Sequence, residues 1–66
     1  MKSNLKTIRT QSGYTQEELA QKVGSSRQTI YAIETGKFYP SMVLGLKLAQ
    51  VLATSVYDLF ELEETD

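Results

Sequence analysis

The sequence predicts a small all-α domain built from five short helices. In each of five segments the apolar residues recur at the three- and four-residue spacing of a helix. No segment has the alternation of a strand, and glycine, proline and hydroxyl-bearing residues separate the segments where helix ends are expected. A length of 66 residues allows one domain. We therefore take residues 1–66 as a single domain, with an acidic end over residues 61–66 that is expected to fray.

The first helix is predicted over residues 3–12. Leu5 and Ile8 supply its apolar face, and Arg9 is expected on the outer side together with Lys6. Gly13 follows and is expected to end the helix.

The second helix opens with a strong local signal. Thr15 is followed three residues later by Glu18, which is the spacing of a capping box. Leu19 and the apolar residues after it fall at helical spacing. Gly24 is expected to end the helix in a tight turn, because a residue without a Cβ adopts the left-handed conformation at little cost.

The third helix begins directly after this turn and is predicted over residues 26–35. Ser25 and Ser26 are both candidate caps, and the position of Gln28 favours Ser25 in the geometry of a capping box. Ile30 and Ile33 give this helix its buried stripe.

The last two helices follow Pro40, which forbids helix at that point. Ser41 is expected to cap the fourth helix over residues 42–53, the most apolar of the five. Gly45 lies inside it, at a cost of about 1 kcal/mol relative to alanine. Ser55 is expected to cap the fifth helix, whose inner face is Val56, Leu59 and Phe60.

The composition excludes several classes of protein. The chain has no cysteine and no histidine, so it lacks a disulfide framework and the commonest metal ligands and general bases. We expect no catalytic residues, no metal and no cofactor, and no small-molecule ligand is evident. No signal peptide or membrane span is recognisable, and a soluble cytoplasmic protein is expected. The net charge is −1, but residues 1–57 carry seven basic against three acidic side chains. This +4 body is compatible with binding nucleic acid.

The spacing of the second and third helices is that of a helix-turn-helix, in which the second motif helix enters the DNA major groove by its N-terminal residues. The segments TQEELA, SRQTI and IETGK, the turn glycine Gly24 and the later pair Pro40-Ser41 resemble the XRE-type helix-turn-helix family. That family includes the repressors of lambdoid phages. The resemblance covers nearly the whole chain and implies a lambda-repressor-like DNA-binding domain of bacterial or phage origin that regulates transcription, most simply as a repressor.

Five residues of the third helix are predicted to read base edges. Arg27 stands at the start of that helix, and arginine can bind guanine O6 and N7 with two hydrogen bonds. Adenine is the natural partner of Gln28. The remaining base-reading candidates are Ser26, Thr29 and Tyr31.

A second set of residues is predicted to contact DNA phosphates. Gln16 begins the first motif helix, where the helix N-terminus favours anions. By resemblance, the loop after the third helix also meets the DNA backbone, which makes candidates of Thr35, Lys37 and Tyr39. Lys6 and Arg9 could add attraction from the first helix.

Repressors of this type usually dimerise through the C-terminal helical region, which matches a partly palindromic operator. We therefore expect a homodimer that uses parts of Tyr57, Phe60, Leu62 and Val43. Three alternatives stay open: a DNA-binding antitoxin, a restriction-modification controller, and a protein–protein interaction module that retained the fold. The acidic C-terminus is too short to argue for a toxin-binding tail.

Overall fold

The computed structural model describes residues 1–66 and contains the five predicted helices. Their bounds are α1 Leu5–Gln11, α2 Gln16–Val23, α3 Arg27–Glu34, α4 Met42–Val51 and α5 Val56–Leu59. The core forms where these helices meet, and its fully buried side chains are Leu5, Leu19, Ile30, Ile33, Leu48 and Leu59. The predicted all-α class is confirmed.

Two short strands were not predicted, and they join the ends of the chain. β1 Lys2–Ser3 pairs antiparallel with β2 Phe60–Glu61. Strands of two residues are too short to produce a detectable alternation, which is why the sequence gives no signal for them. Because Lys2–Ser3 forms a strand, α1 begins at Leu5 instead of residue 3.

The strand pairing also changes the description of the C-terminal residues. Phe60 was predicted on the inner face of the fifth helix; it is buried, but in extended conformation as the first residue of β2. Glu61 also lies in β2, and the carboxylates of Glu63 and Asp66 lie 2.9 and 2.8 Å from the amino group of Met1. Fraying of residues 61–66 concerns motion and stays a prediction.

The predicted capping box at the start of α2 is present. The Thr15 hydroxyl accepts a hydrogen bond from the Glu18 N–H at 3.1 Å, and the Glu18 carboxylate accepts one from the Thr15 N–H at 2.9 Å. These contacts lower the pKa of Glu18. The backbone hydrogen bond from Thr15 has the larger effect and the side-chain hydrogen bond with Thr15 the smaller one. Two satisfied N–H groups therefore fix where α2 begins.

This lowered pKa predicts a pH dependence of stability. The folded pKa of Glu18 is below the unfolded one, so its contribution is present above the unfolded pKa of about 4.3 and is lost as the pH falls through the folded pKa. We expect the urea midpoint to fall more between pH 6 and pH 3 in the wild type than in Glu18→Gln, whose amide oxygen accepts the same hydrogen bond at any pH. Equal pH dependence of the two urea midpoints would contradict a stabilising role of the ionised Glu18 carboxylate.

Each of the helices α1 to α4 ends with two backbone hydrogen bonds of the same pattern, made by a residue in the left-handed conformation and by the residue after it. The type of the left-handed residue differs in α4. It is glycine in the first three cases, at Gly13, Gly24 and Gly36. In α4 it is Ala53, with φ 52°, where the Thr54 N–H donates to the Ala49 carbonyl at 3.0 Å. A Cβ in this conformation costs about 1–2 kcal/mol, so α4 carries local strain at its end.

Replacing Ala53 with glycine is expected to stabilise the fold. The strain relieved exceeds the extra freedom that glycine gives the unfolded chain, for a net gain of about 0.5–1 kcal/mol in the free energy of unfolding. Urea denaturation measures it. The matched control is Gly24→Ala, because Gly24 has φ 71° and open space around an added Cβ, so only the backbone effect operates, with opposite sign. A lower stability of Ala53→Gly would contradict this account.

Candidate nucleic-acid interface

The N-terminal face of α3 presents three polar side chains together. Arg27, Gln28 and Tyr31 line one shallow surface depression with a volume of about 300 Å³. All three residues are exposed, and Tyr31 retains 52% of its accessible surface. None of the three side chains makes a hydrogen bond or ion pair within the chain. Their donors and acceptors are therefore free for a ligand at the start of α3.

The other two base-reading candidates have a structural role as well. Ser26 caps α3: its hydroxyl accepts a hydrogen bond from the Thr29 N–H at 3.1 Å and lies 2.9 Å from the Thr29 hydroxyl. The prediction that Ser25 takes the cap was wrong. The Ser25 N–H donates to the Ala20 carbonyl at 2.9 Å, so Ser25 belongs to the turn that ends α2.

The four phosphate candidates lie in different environments. The Gln16 amide nitrogen donates to a Glu34 carboxylate oxygen at 3.0 Å, at the first residue of α2. The Thr35 hydroxyl donates back into α3, to the Tyr31 carbonyl at 3.0 Å. Lys37 is exposed and has no ion-pair partner.

Tyr39, the fourth phosphate candidate, borders an apolar groove that is separate from the depression at the start of α3. The groove has a volume of about 520 Å³, and its lining includes Tyr39, Met42, Gly45, Leu46 and Tyr57. The hydroxyl of Tyr39 accepts a long hydrogen bond of 3.4 Å from the amino group of Met1. Tyr39 therefore belongs to the loop after α3 and also lines the groove.

Three of the four dimer candidates are exposed, and of these Tyr57 lines the groove, while Leu62 lines a second depression that also includes Tyr57. Tyr57 retains 89% of its accessible surface, Leu62 86% and Val43 62%. Phe60 retains only 8%, because it packs into the core of its own chain. The open space beside Gly45 would accommodate a Cβ, so nothing within the chain requires glycine in the middle of α4.

The prediction that Arg9 lies on the outside of α1 was wrong. Arg9 is buried, and its guanidinium donates through Nε and Nη2 to the Glu34 carboxylate and through Nη1 to the Tyr14 carbonyl at 2.8 Å. The Glu34 side chain retains only 2% of its accessible surface. Glu34 lies in the segment IETGK, but nothing in the sequence indicated that it pairs with Arg9. The signal for Arg9 was its spacing of four from Leu5, which places both residues on one face of α1.

α2, the turn at Gly24 and α3, with polar side chains free at the start of α3, define a helix-turn-helix domain. The sequence model of the helix-turn-helix family HTH_3 matches residues 5–59. The chain belongs to this XRE-type helix-turn-helix family.

Relatives and solved structures agree with that assignment. The HTH-type transcriptional regulator YgzD of Bacillus subtilis is 44% identical over 64 residues, with 97% of each chain covered. An HTH-type transcriptional regulator of Methanocaldococcus jannaschii is 46% identical over all 66 residues and 100% of each chain. Relatives thus come from bacteria and archaea, and bacterial or phage origin stays a prediction.

Two solved structures of other proteins share the fold. The restriction-modification controller protein C.AhdI from Aeromonas hydrophila has a TM-score of 0.77 and 38% identity, with 85% of each chain covered. The N-terminal DNA binding domain of SinR from Bacillus subtilis has a TM-score of 0.77 and 31% identity, covering 91% of this chain and 88% of that one. The relatives are transcriptional regulators, a class that is typically not enzymatic. No helix of the structure has the length and apolar character needed to cross a bilayer.

Proposed function

We propose that this chain is a sequence-specific, double-stranded DNA-binding repressor that works in the cytoplasm as a homodimer. The observation that carries the proposal is the depression formed by Arg27, Gln28 and Tyr31 at the start of α3. Three side chains with donors, acceptors and an aromatic ring share one exposed face, and none is committed within the chain. A helix that enters the major groove by its N-terminus would bring this face to the base edges.

Each residue of the depression has a different task in this proposal. Arg27 donates two hydrogen bonds to a guanine, and Gln28 pairs with an adenine through one donor and one acceptor. Tyr31, one turn after Arg27, reaches a base edge or a phosphate with its hydroxyl. Ser26 and Thr29 read bases only at the periphery, because their hydroxyls already serve the cap of α3.

Phosphate contacts would flank this face and set the register of the protein on the duplex. Gln16 lies at the N-terminus of α2, where backbone dipoles favour an anion. Lys37 is an unpaired cation three residues after the end of α3 and supplies charge attraction. Thr35 and Tyr39 take weaker parts, since the hydrogen of the Thr35 hydroxyl is used within α3.

The exposed apolar side chains around the groove support the homodimer. Tyr57 lines the groove together with Met42 and Leu46, and all three side chains are exposed. Leu62 is exposed and lines a second depression with Tyr57, and Val43 is exposed on α4 next to Met42 in the sequence. Contiguous apolar surface of this kind commonly marks a protein interface. Phe60 supports the face from the core instead of contacting a partner directly. Two copies joined by a two-fold axis would present two α3 helices to a partly palindromic operator.

The similarity to a restriction-modification controller favours one second candidate, a controller of that kind. It would read DNA by the same residues, so the fold does not distinguish the two. The position of the binding site in the genome does: a controller would bind next to genes for a restriction enzyme and its methyltransferase.

Hydroxyl-radical footprinting on a bound genomic fragment tests the proposal. We expect two protected patches one helical turn apart, about 34 Å, on one face of the duplex. A single patch would contradict the dimer. No protection by folded protein would contradict DNA binding and would favour the alternative of a protein–protein interaction module that retained the fold.

A charge placed in the apolar face is expected to break the dimer. Tyr57→Glu changes a side chain that retains 89% of its surface, so the fold should be unaffected while the apolar contact is lost. We expect sedimentation equilibrium to give the monomer mass and DNA affinity to fall at least tenfold. Gln21→Glu adds the same charge at an exposed site of α2 outside the groove and is the control. An unchanged mass for Tyr57→Glu would exclude this face.

A further inference from the structure

A buried carboxylate connects α1, α2 and α3. Glu34, the last residue of α3, accepts hydrogen bonds from Nε and Nη2 of Arg9 and from the side-chain amide of Gln16 at 3.0 Å. Gln16 is the first residue of α2 and is half-buried. The carboxylate therefore holds a side chain at the helix N-terminus for which a phosphate contact is proposed.

The chemistry of this contact fixes the orientation of the Gln16 amide. An ionised carboxylate only accepts hydrogen bonds, so the amide must turn its nitrogen, not its oxygen, toward Glu34. One N–H is then used, and the second N–H of the same nitrogen makes no hydrogen bond within the chain. Arg9 cancels the charge of Glu34, which keeps an uncompensated anion away from the DNA backbone.

We infer that Glu34 is a positioning residue for DNA binding that acts through Gln16. It holds the amide in the one orientation that offers a free N–H to a phosphate oxygen, and it removes the cost of ordering that flexible side chain when DNA binds. The inference rests on the proposed function, because it requires that Gln16 contacts DNA.

A thermodynamic cycle of DNA affinities tests the inference. Arg9→Met with Glu34→Leu replaces the ion pair by apolar side chains of similar volume, a change that usually preserves the fold. Gln16→Met removes the amide and keeps the length of the side chain. The dissociation constant for a selected duplex is measured for the wild type, the pair replacement, Gln16→Met and all three changes together, after thermal unfolding has established that each variant folds.

We expect the pair replacement to weaken binding about three- to tenfold and Gln16→Met about tenfold, the scale of one hydrogen bond to a charged group. The three changes together should weaken binding no more than Gln16→Met alone, because Glu34 has no other route to DNA. Effects that multiply, or a pair replacement without effect, would overturn the inference while DNA binding itself stands.

Two further outcomes are distinguishable. If the wild type binds no duplex, the proposed function fails and this inference fails with it. If the pair replacement does not fold, Glu34→Asp enters the same cycle, because it keeps the charge and draws the carboxylate away from Gln16 by one methylene. Binding by Glu34→Asp that matches the wild type would overturn the inference.

Discussion

Arg27→Ala is expected to weaken binding to the selected operator about 10- to 100-fold. A bidentate arginine–guanine contact contributes about 1–3 kcal/mol of discrimination, and the guanidinium of Arg27 has no partner within the chain that would compete for it. The loss should be confined to operators that carry the contacted guanine. Against duplexes with that base pair replaced, wild type and variant should bind almost equally.

Two matched variants separate base reading from charge. Arg27→Lys keeps the positive charge but loses the planar fork, so it should lose most of the discrimination and little of the salt dependence. Lys37→Ala should weaken binding to all sequences alike and lower the salt slope by about one. Fluorescence anisotropy over a salt series measures both. Equal losses for Arg27→Ala on matched and replaced duplexes would show a phosphate contact instead of a base contact.

Removing one member of the buried ion pair is expected to unfold much of the protein. Glu34→Ala leaves the Arg9 guanidinium buried with no counter-charge, at a cost of about 3–5 kcal/mol. A domain of this size has a total stability on the order of 5 kcal/mol. Circular dichroism at 25 °C should therefore give a reduced helical signal and a melting temperature far below that of the wild type.

The paired variant is the control for this prediction. Arg9→Met with Glu34→Leu removes both charges together, so no buried charge is left unpaired and the fold should persist. A Glu34→Ala variant with the same melting temperature as the wild type would contradict the account. It would mean that the Arg9 guanidinium finds water or another acceptor at little cost.

Capping signals were the most predictable part of this chain. The Thr15–Glu18 box and the turn at Gly24 depend on neighbouring residues, so a local reading suffices. The cap of α3 was assigned to the wrong serine, because two adjacent serines satisfy the same local rule. Ser26 takes the cap since the Ser25 N–H is already used to close α2.

Features that depend on distant residues escaped prediction. The β1–β2 pairing joins the two ends of the chain, and the Arg9–Glu34 pair joins residues 25 positions apart. Periodicity within a segment cannot reveal either contact. The position of the candidate residues at the start of α3 could be predicted, because the motif fixes it relative to Gly24. Only the three-dimensional contacts separate the side chains without a partner in the chain from those that cap the helix.

The most direct test of the central claim is selection from fragmented genomic DNA at about 0.1 M salt, with wild type and Arg27→Ala side by side, followed by sequencing. The claim is that the exposed start of α3 reads base edges as part of a dimer. It predicts that the wild type enriches a short two-fold motif containing a guanine that the variant no longer selects. No enriched motif with folded wild-type protein, or the same motif with both proteins, would contradict it.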